Sequence, residues 1–140
     1  VTRGRGGDRP GRGDGGQSAV EFALVLPLLA ALLLVLVQVG LLVRDQVLVI
    51  HAAREAVRQV AVQEGERADG PGLERLARDA AIAATGSALD ATRLEVAVEI
   101  SGARVGVRVG YRAPFGVPIP GLGRKDVRLA AFAQMTREID

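Results

Sequence analysis

The sequence contains no cysteine, no tryptophan and no asparagine, and it has one histidine, His51, and one lysine, Lys125. Each shortage excludes a class of chemistry. Without cysteine there is no disulfide framework, no thiol nucleophile and no thiolate zinc site. A single histidine rules out a multi-histidine metal centre and leaves little from which to build a Ser-His-Asp relay. The lone lysine belongs to no phosphate-binding glycine loop. Without asparagine there is no N-glycosylation acceptor. Aromatic residues make up 3% of the 140, whereas 49% of the chain is hydrophobic, so the apolar weight is aliphatic. This inventory argues against an enzyme, and neither a metal nor a cofactor is expected. Basic charge is carried almost wholly by arginine, and the formal net charge is +2.

The aliphatic residues are concentrated. Residues 22–43 carry no charge, and only Pro27, Gln38 and Gly40 interrupt the run. As a helix such a stretch is about 33 Å long, enough to cross a hydrocarbon core of about 30 Å. A transmembrane helix is therefore expected, preceded by a basic leader over 1–16 that is rich in glycine and arginine and has nothing to bury; disorder is expected there. Arg12-Gly13-Asp14 spells an integrin-binding tripeptide, and the Arg-Gly pairs resemble RNA-binding tracts. Four arginines among two aspartates, with no aromatic, give little phosphate affinity, so no nucleic-acid partner is expected and topogenic charge is the better explanation. The short leader and single span favour a cytoplasmic N-terminus and an extracytoplasmic tail.

Glu21 stands at the lip of the span, and no basic residue lies between positions 13 and 43. An isolated carboxylate there costs a few kcal/mol if it enters the core, so by default it marks a functional site. A secretory signal would place small residues after its apolar region. Here the Gly15-Gly16 pair and a small polar run precede it.

The stretch Gly16-Gln17-Ser18-Ala19-Val20-Glu21-Phe22, followed by an aliphatic run containing Leu26-Pro27, resembles the class III signal of prepilins. Its wording is closest to the TadE-like pseudopilins of tight-adherence (Flp) systems, over roughly residues 15–60. The resemblance implies cleavage after Gly16 by a prepilin peptidase on the cytoplasmic face. Gln17 then becomes the new N-terminus and Glu21 its fifth residue, the assembly carboxylate, with Phe22 and Pro27 supporting the motif. Cleavage ahead of the apolar segment leaves the helix attached. A fresh ammonium on Gln17 then pairs with Glu21 of a neighbouring subunit, strongly only if both charges are present. Major Flp pilins are usually shorter and often carry Glu-Tyr where this chain has Glu21-Phe22, which favours a minor pseudopilin. The implied partners are the membrane, the prepilin peptidase, other pilins and pseudopilins, and the Tad membrane machinery, with no small-molecule substrate. The implied location is the bacterial cytoplasmic membrane, single-pass, or the pilus. Pro27 is expected to kink the helix near Ala23.

Beyond the span, Arg44–Gln63 contains no glycine or proline. Val49, Ile50, Ala53, Ala56, Val57 and Val60 share a helical face, while His51, Arg54, Glu55 and Arg58 lie opposite, His51 and Glu55 forming an i,i+4 pair. One helix is thus expected from about Ser18 to Gln63, ended by Gly65 and a Gly70-Pro71-Gly72 turn. A second helix fits 72–85, with Leu73, Leu76, Ala77, Ala80 and Ala84 along one side and Glu74–Arg78 and Arg75–Asp79 ion pairs. The period then changes to two. Leu94, Val96, Val98 and Ile100 alternate with Glu95, Ala97 and Glu99, and Val105, Val107, Val109 and Tyr111 alternate with arginines and glycines. A Ser101-Gly102 hairpin loop would set Glu99 opposite Arg104, Glu95 opposite Arg108, Val98 opposite Val105 and Val96 opposite Val107. A Pro/Gly loop over 113–123 follows, whose Phe115, Val117, Ile119 and Leu122 suit either a partner contact or cover for the sheet edge. A third strand fits 126–136.

The expected class is therefore α+β, a pilin-like ladle. Its parts are a leader (1–16), a signal and transmembrane helix (17–43), an extracytoplasmic helical region (44–85) and a three-stranded antiparallel sheet region (86–140). The functional expectation is a minor pseudopilin of Flp/Tad pilus assembly or secretion. The alternative is a signal-anchored extracytoplasmic binding module unrelated to pili. A membrane-anchored enzyme would need a polar constellation that the tail lacks.

Overall fold

A computed structural model describes residues 14–63, 70–116 and 125–136. Its elements are α1 (Asp14–Gln63), α2 (Gly70–Thr85), a 3-10 turn (Ala91–Arg93) and the strands β1 (Leu94–Ser101), β2 (Arg104–Phe115) and β3 (Lys125–Thr136). The strands form one antiparallel sheet in the order β1-β2-β3. The long apolar helix, second helix and three-stranded sheet are the α+β, pilin-like arrangement that the sequence pattern indicates. The chain divides into two compact units, one ending at Leu36 and the other beginning at Val37.

The first unit is helix without a core. α1 begins at Asp14, four residues before the Ser18 expected, so Asp14, Gly15 and Gly16 are helical although they close the segment expected to be disordered. The rest of that segment lies outside the described residues. Pro27 sits inside the helix, which runs on past it.

The second unit has a core built from α1, α2 and the sheet. Val49, Ala52, Ala53, Ala56, Val57 and Val60 of α1 meet Leu73, Ala77 and Ala81 of α2 and Val105, Val107, Val109, Tyr111 and Ala113 of β2. Alanine dominates the helical share, and small side chains let backbones approach closely. Val49, Ala53, Ala56, Val57 and Val60 were expected on this face; Ala52 joins them, and Ile50 is half-buried.

α2 differs from expectation at both ends. Gly70-Pro71-Gly72 forms its first turn rather than a loop before it, which suits proline because the first helical N–H groups have no intrahelical partner. Its buried line is Leu73, Ala77, Ala81 and Thr85, a strict i,i+4 row, and Ala84 is exposed. Arg78 donates to the carbonyls of Leu94 at 3.1 Å and Ala91 at 3.2 Å, reaching past Glu74 to tie α2 to the start of β1. Gly86, at φ +54°, closes the helix with its N–H donated to the Ile82 carbonyl at 2.9 Å, the left-handed cap that favours glycine.

The β1–β2 register is two residues from the one expected. Ser101 pairs with Arg104, Val98 with Val107 and Val96 with Val109. The turn is therefore Gly102-Ala103, with Gly102 at φ +58°, the positive φ that tight hairpins need at their first central residue. A shift of two preserves which side chains face the core, so the alternation pattern could not detect it. The charge pairs did change. Glu99 and Glu95 lie opposite Gly106 and Gly110, and they bond diagonally, Glu99 to Arg108 at 3.2 Å and Glu95 to Arg112 and, across β2, to Arg128 at 2.9 Å. Ala113, Pro114 and Phe115, expected in a loop, complete β2 and pair with Val127, Asp126 and Lys125. Val117, Ile119 and Leu122 of that loop lie outside the described residues, as does Gly65.

Candidate functional site

The candidate site lies on the first unit, along the opening turns of α1. Gly16, Gln17, Glu21, Phe22 and Pro27 all fall on this one helix. The Gly16–Gln17 bond is in its first turn, where backbone N–H groups have no intrahelical acceptor. Glycine there costs roughly 1 kcal/mol against alanine, so two adjacent glycines weaken this turn of α1. A β-carbon added at Gly16 would meet nothing within 4 Å. Among the described residues, no packing requires glycine at this position.

Glu21 is exposed, as are Val20 and Phe22, the latter at 67%. Gln17 and Glu21 are four residues apart on this helix, about 6 Å along its axis. Past Glu21 the aliphatic side chains have little cover from the described residues; Leu24 and Leu28 are 74% and 72% exposed. The most apolar 18-residue window of this helix has a mean hydropathy of 2.8 and none of it is buried. A core helix of a water-soluble domain would be covered by its own chain. This helix is long and apolar enough to cross a membrane, which is consistent with membrane anchoring.

The second unit offers little catalytic machinery. Among the described residues no three His, Asp or Glu side chains gather as a metal site would need. His51 is exposed, and Glu55 is bonded to Arg58 at 2.8 Å and to Gln59 at 2.8 Å rather than to His51. Hydrogen bonds from Arg58 and Gln59 hold the Glu55 carboxyl below its ordinary value. Hydrogen bonds from the Thr92 hydroxyl and backbone do the same for Asp90 at the start of the 3-10 turn. The flank of α1 and α2 carries an open depression lined by Glu55, Gln59, Leu76 and Asp79, too shallow to exclude water from a substrate.

Two residues that sequence reasoning did not single out tie α1 to the sheet. Gln38 Nε2 donates to the Gly116 carbonyl and Gln46 Nε2 to the Ala130 carbonyl, each at 3.1 Å. The available signal was Gln38 itself, the one polar amide in a run of 22 uncharged residues. Arg128 was a third, since its pairing with Glu95 depends on strand order.

Residues 16–58 match the family model described as TadE-like protein, a family of structural and generally non-enzymatic pilins. The match opens on Gly16 and ends on Arg58. No curated protein and no solved structure matches the chain. Through the segment from Gly16 to Arg58, about a third of its length, this chain is similar to the TadE-like protein family.

Proposed function

We propose that the protein is a minor pseudopilin of a Tad pilus or secretion system, anchored by α1, cut after Gly16 and assembled through its N-terminal helix. The observation that carries this reading is the family match beginning at Gly16, with Glu21 five positions on at the mouth of an uncovered aliphatic helix. Each part has a physical task. The Gly15-Gly16 turn unwinds for the peptidase. Gln17 supplies a new amine, and Glu21 offers the carboxylate that a neighbouring subunit's amine neutralises as helices pack. In a low-dielectric bundle that pair holds only while both members are charged. The N-terminus faces the cytoplasm and the sheet-bearing unit lies outside the cytoplasmic membrane.

Expression with the Tad machinery tests the roles separately. Gly16→Val should leave an uncut precursor. Glu21→Ala should be cut normally yet be lost from assembled material. Normal incorporation of Glu21→Ala would remove Glu21 from the assembly contact.

A further inference from the structure

The two glutamine ties orient the sheet on its own unit. Gln38 holds Gly116, just past the end of β2, and Gln46, eight residues along α1, holds Ala130 in the middle of β3. The Phe115–Lys125 end of the β2–β3 pair therefore lies toward the apolar start of this unit's helix, and the Arg104–Thr136 end lies away from it. Gln38 comes six residues before Arg44, the first charge after the run, which is about 9 Å of helix. Helical side chains lean toward the N-terminus, so the bond to Gly116 is no shallower than Gln38 itself.

The surroundings at that level are apolar on both sides. Val39, Leu41 and Val43 of α1 are 47%, 46% and 59% exposed. The strand end presents Pro114, Phe115 and Gly116, Ala113 being buried in the core, and the sequence has no charge between Arg112 and Arg124. If bilayer ended at Gln38, three aliphatic side chains would stand in water. If it reaches Val43, the strand end is at the same depth, and the charges at that end, Lys125 opposite Phe115 and Asp126 opposite Pro114, fall at headgroup level. The nearest exposed charges are arranged around it. Asp126 is held by Arg93 at 3.6 Å, and Arg112 and Arg128 by Glu95, while Lys125, directly opposite Phe115, has no ion-pair partner among the described residues.

We propose that this sheet end, Pro114–Gly116 with Lys125, is a membrane-contact surface resting in the headgroup layer of the bilayer that α1 crosses. Phe115 reaches the acyl boundary and the Lys125 ammonium meets lipid phosphate, the placement that aromatic and lysine side chains favour at such interfaces. The proposal rests on the reading of α1 as a membrane span. It makes the pilin-like unit a body held against the bilayer, so that leaving the membrane for a filament requires this contact to break.

The absence of tryptophan and cysteine makes the test clean. The full chain carrying Phe115→Trp, reconstituted in vesicles of mixed phosphatidylethanolamine and phosphatidylglycerol containing lipids brominated near the headgroup end of the acyl chain, has a single emitter. Its emission should be quenched at least about twofold more than that of Phe132→Trp, placed further along the sheet on its outer face. Leu29→Trp reports on the span itself. Quenching of Leu29→Trp with Phe115→Trp no more quenched than Phe132→Trp would overturn the membrane contact alone. An unquenched Leu29→Trp would overturn the span and the contact with it. Pro114→Cys carrying an environment-sensitive dye gives an independent reading; a water-like spectrum in the same vesicles would contradict the proposal.

Discussion

Phe132 and Gly106 show how much one side chain can decide. They lie on neighbouring strands, and the Phe132 ring covers Gly106 so closely that a β-carbon there would sit 2.7 Å from the ring. The same ring lies 5.6 Å from the Arg108 guanidinium, within cation–π range. Phe132 is half-exposed and can swing outward, so Gly106→Ala should cost about 1 kcal/mol, the lost ring contacts rather than a core collapse. In a double-mutant cycle with Phe132→Ala, thermal melts should show most of that cost disappear. Asp45 gives a pH-dependent counterpart. Burial raises its carboxyl above the ordinary value, with Arg44 partly offsetting the shift. A raised folded-state value means the charged form is disfavoured by folding: the group is harmless below its unfolded value, and its penalty appears as pH rises through the folded one. Asp45→Asn should therefore raise the melting temperature at neutral pH and lose that advantage in acid. An unchanged difference at both pH values would show that the carboxylate is not the cause.

Among the elements, α2 separates what the pattern reveals from what only packing decides. Its existence and its Leu73 and Ala77 contacts are legible in the spacing, but Ala84 and Ala81 exchange roles because the buried row follows the i,i+4 line rather than the broader stripe. Ala77→Leu should therefore destabilise the second unit by about 1–3 kcal/mol, whereas Ala84→Leu should stay within about 0.5 kcal/mol. Equal losses would place both alanines on the buried face. The hairpin makes the same point. Alternation over Leu94–Ile100 and Val105–Tyr111 identifies both strands and their inward faces, yet registers two residues apart look identical to it. The Ser101–Arg104 pairing decides between them, setting Gly102 at the first turn position with its left-handed φ. The extension of β2 through Pro114 was illegible for another reason. Proline, which usually marks a loop, is tolerated in a strand where no ladder N–H is needed.

At the scale of the whole molecule, two units with different exposure share one chain. The second unit buries valine and alanine against its own sheet. The first unit leaves leucine and valine for a surrounding it does not itself contain. The aliphatic excess of the composition is thus divided between a small core and an exposed apolar helix, which is why totals alone suggest a larger core than the described residues form. That Gly16, Gln17 and Glu21 share one helix was legible in the sequence, since it follows from their spacing. The glutamine ties were not, because each depends on a carbonyl 78 or 84 residues away. The central claim is that the chain is a processed TadE-like subunit. N-terminal mapping of protein extracted from the membranes of a host with an active prepilin peptidase tests it most directly. The account predicts a chain beginning at Gln17. Recovered protein that still carries Gly15-Gly16 ahead of Gln17 would contradict it.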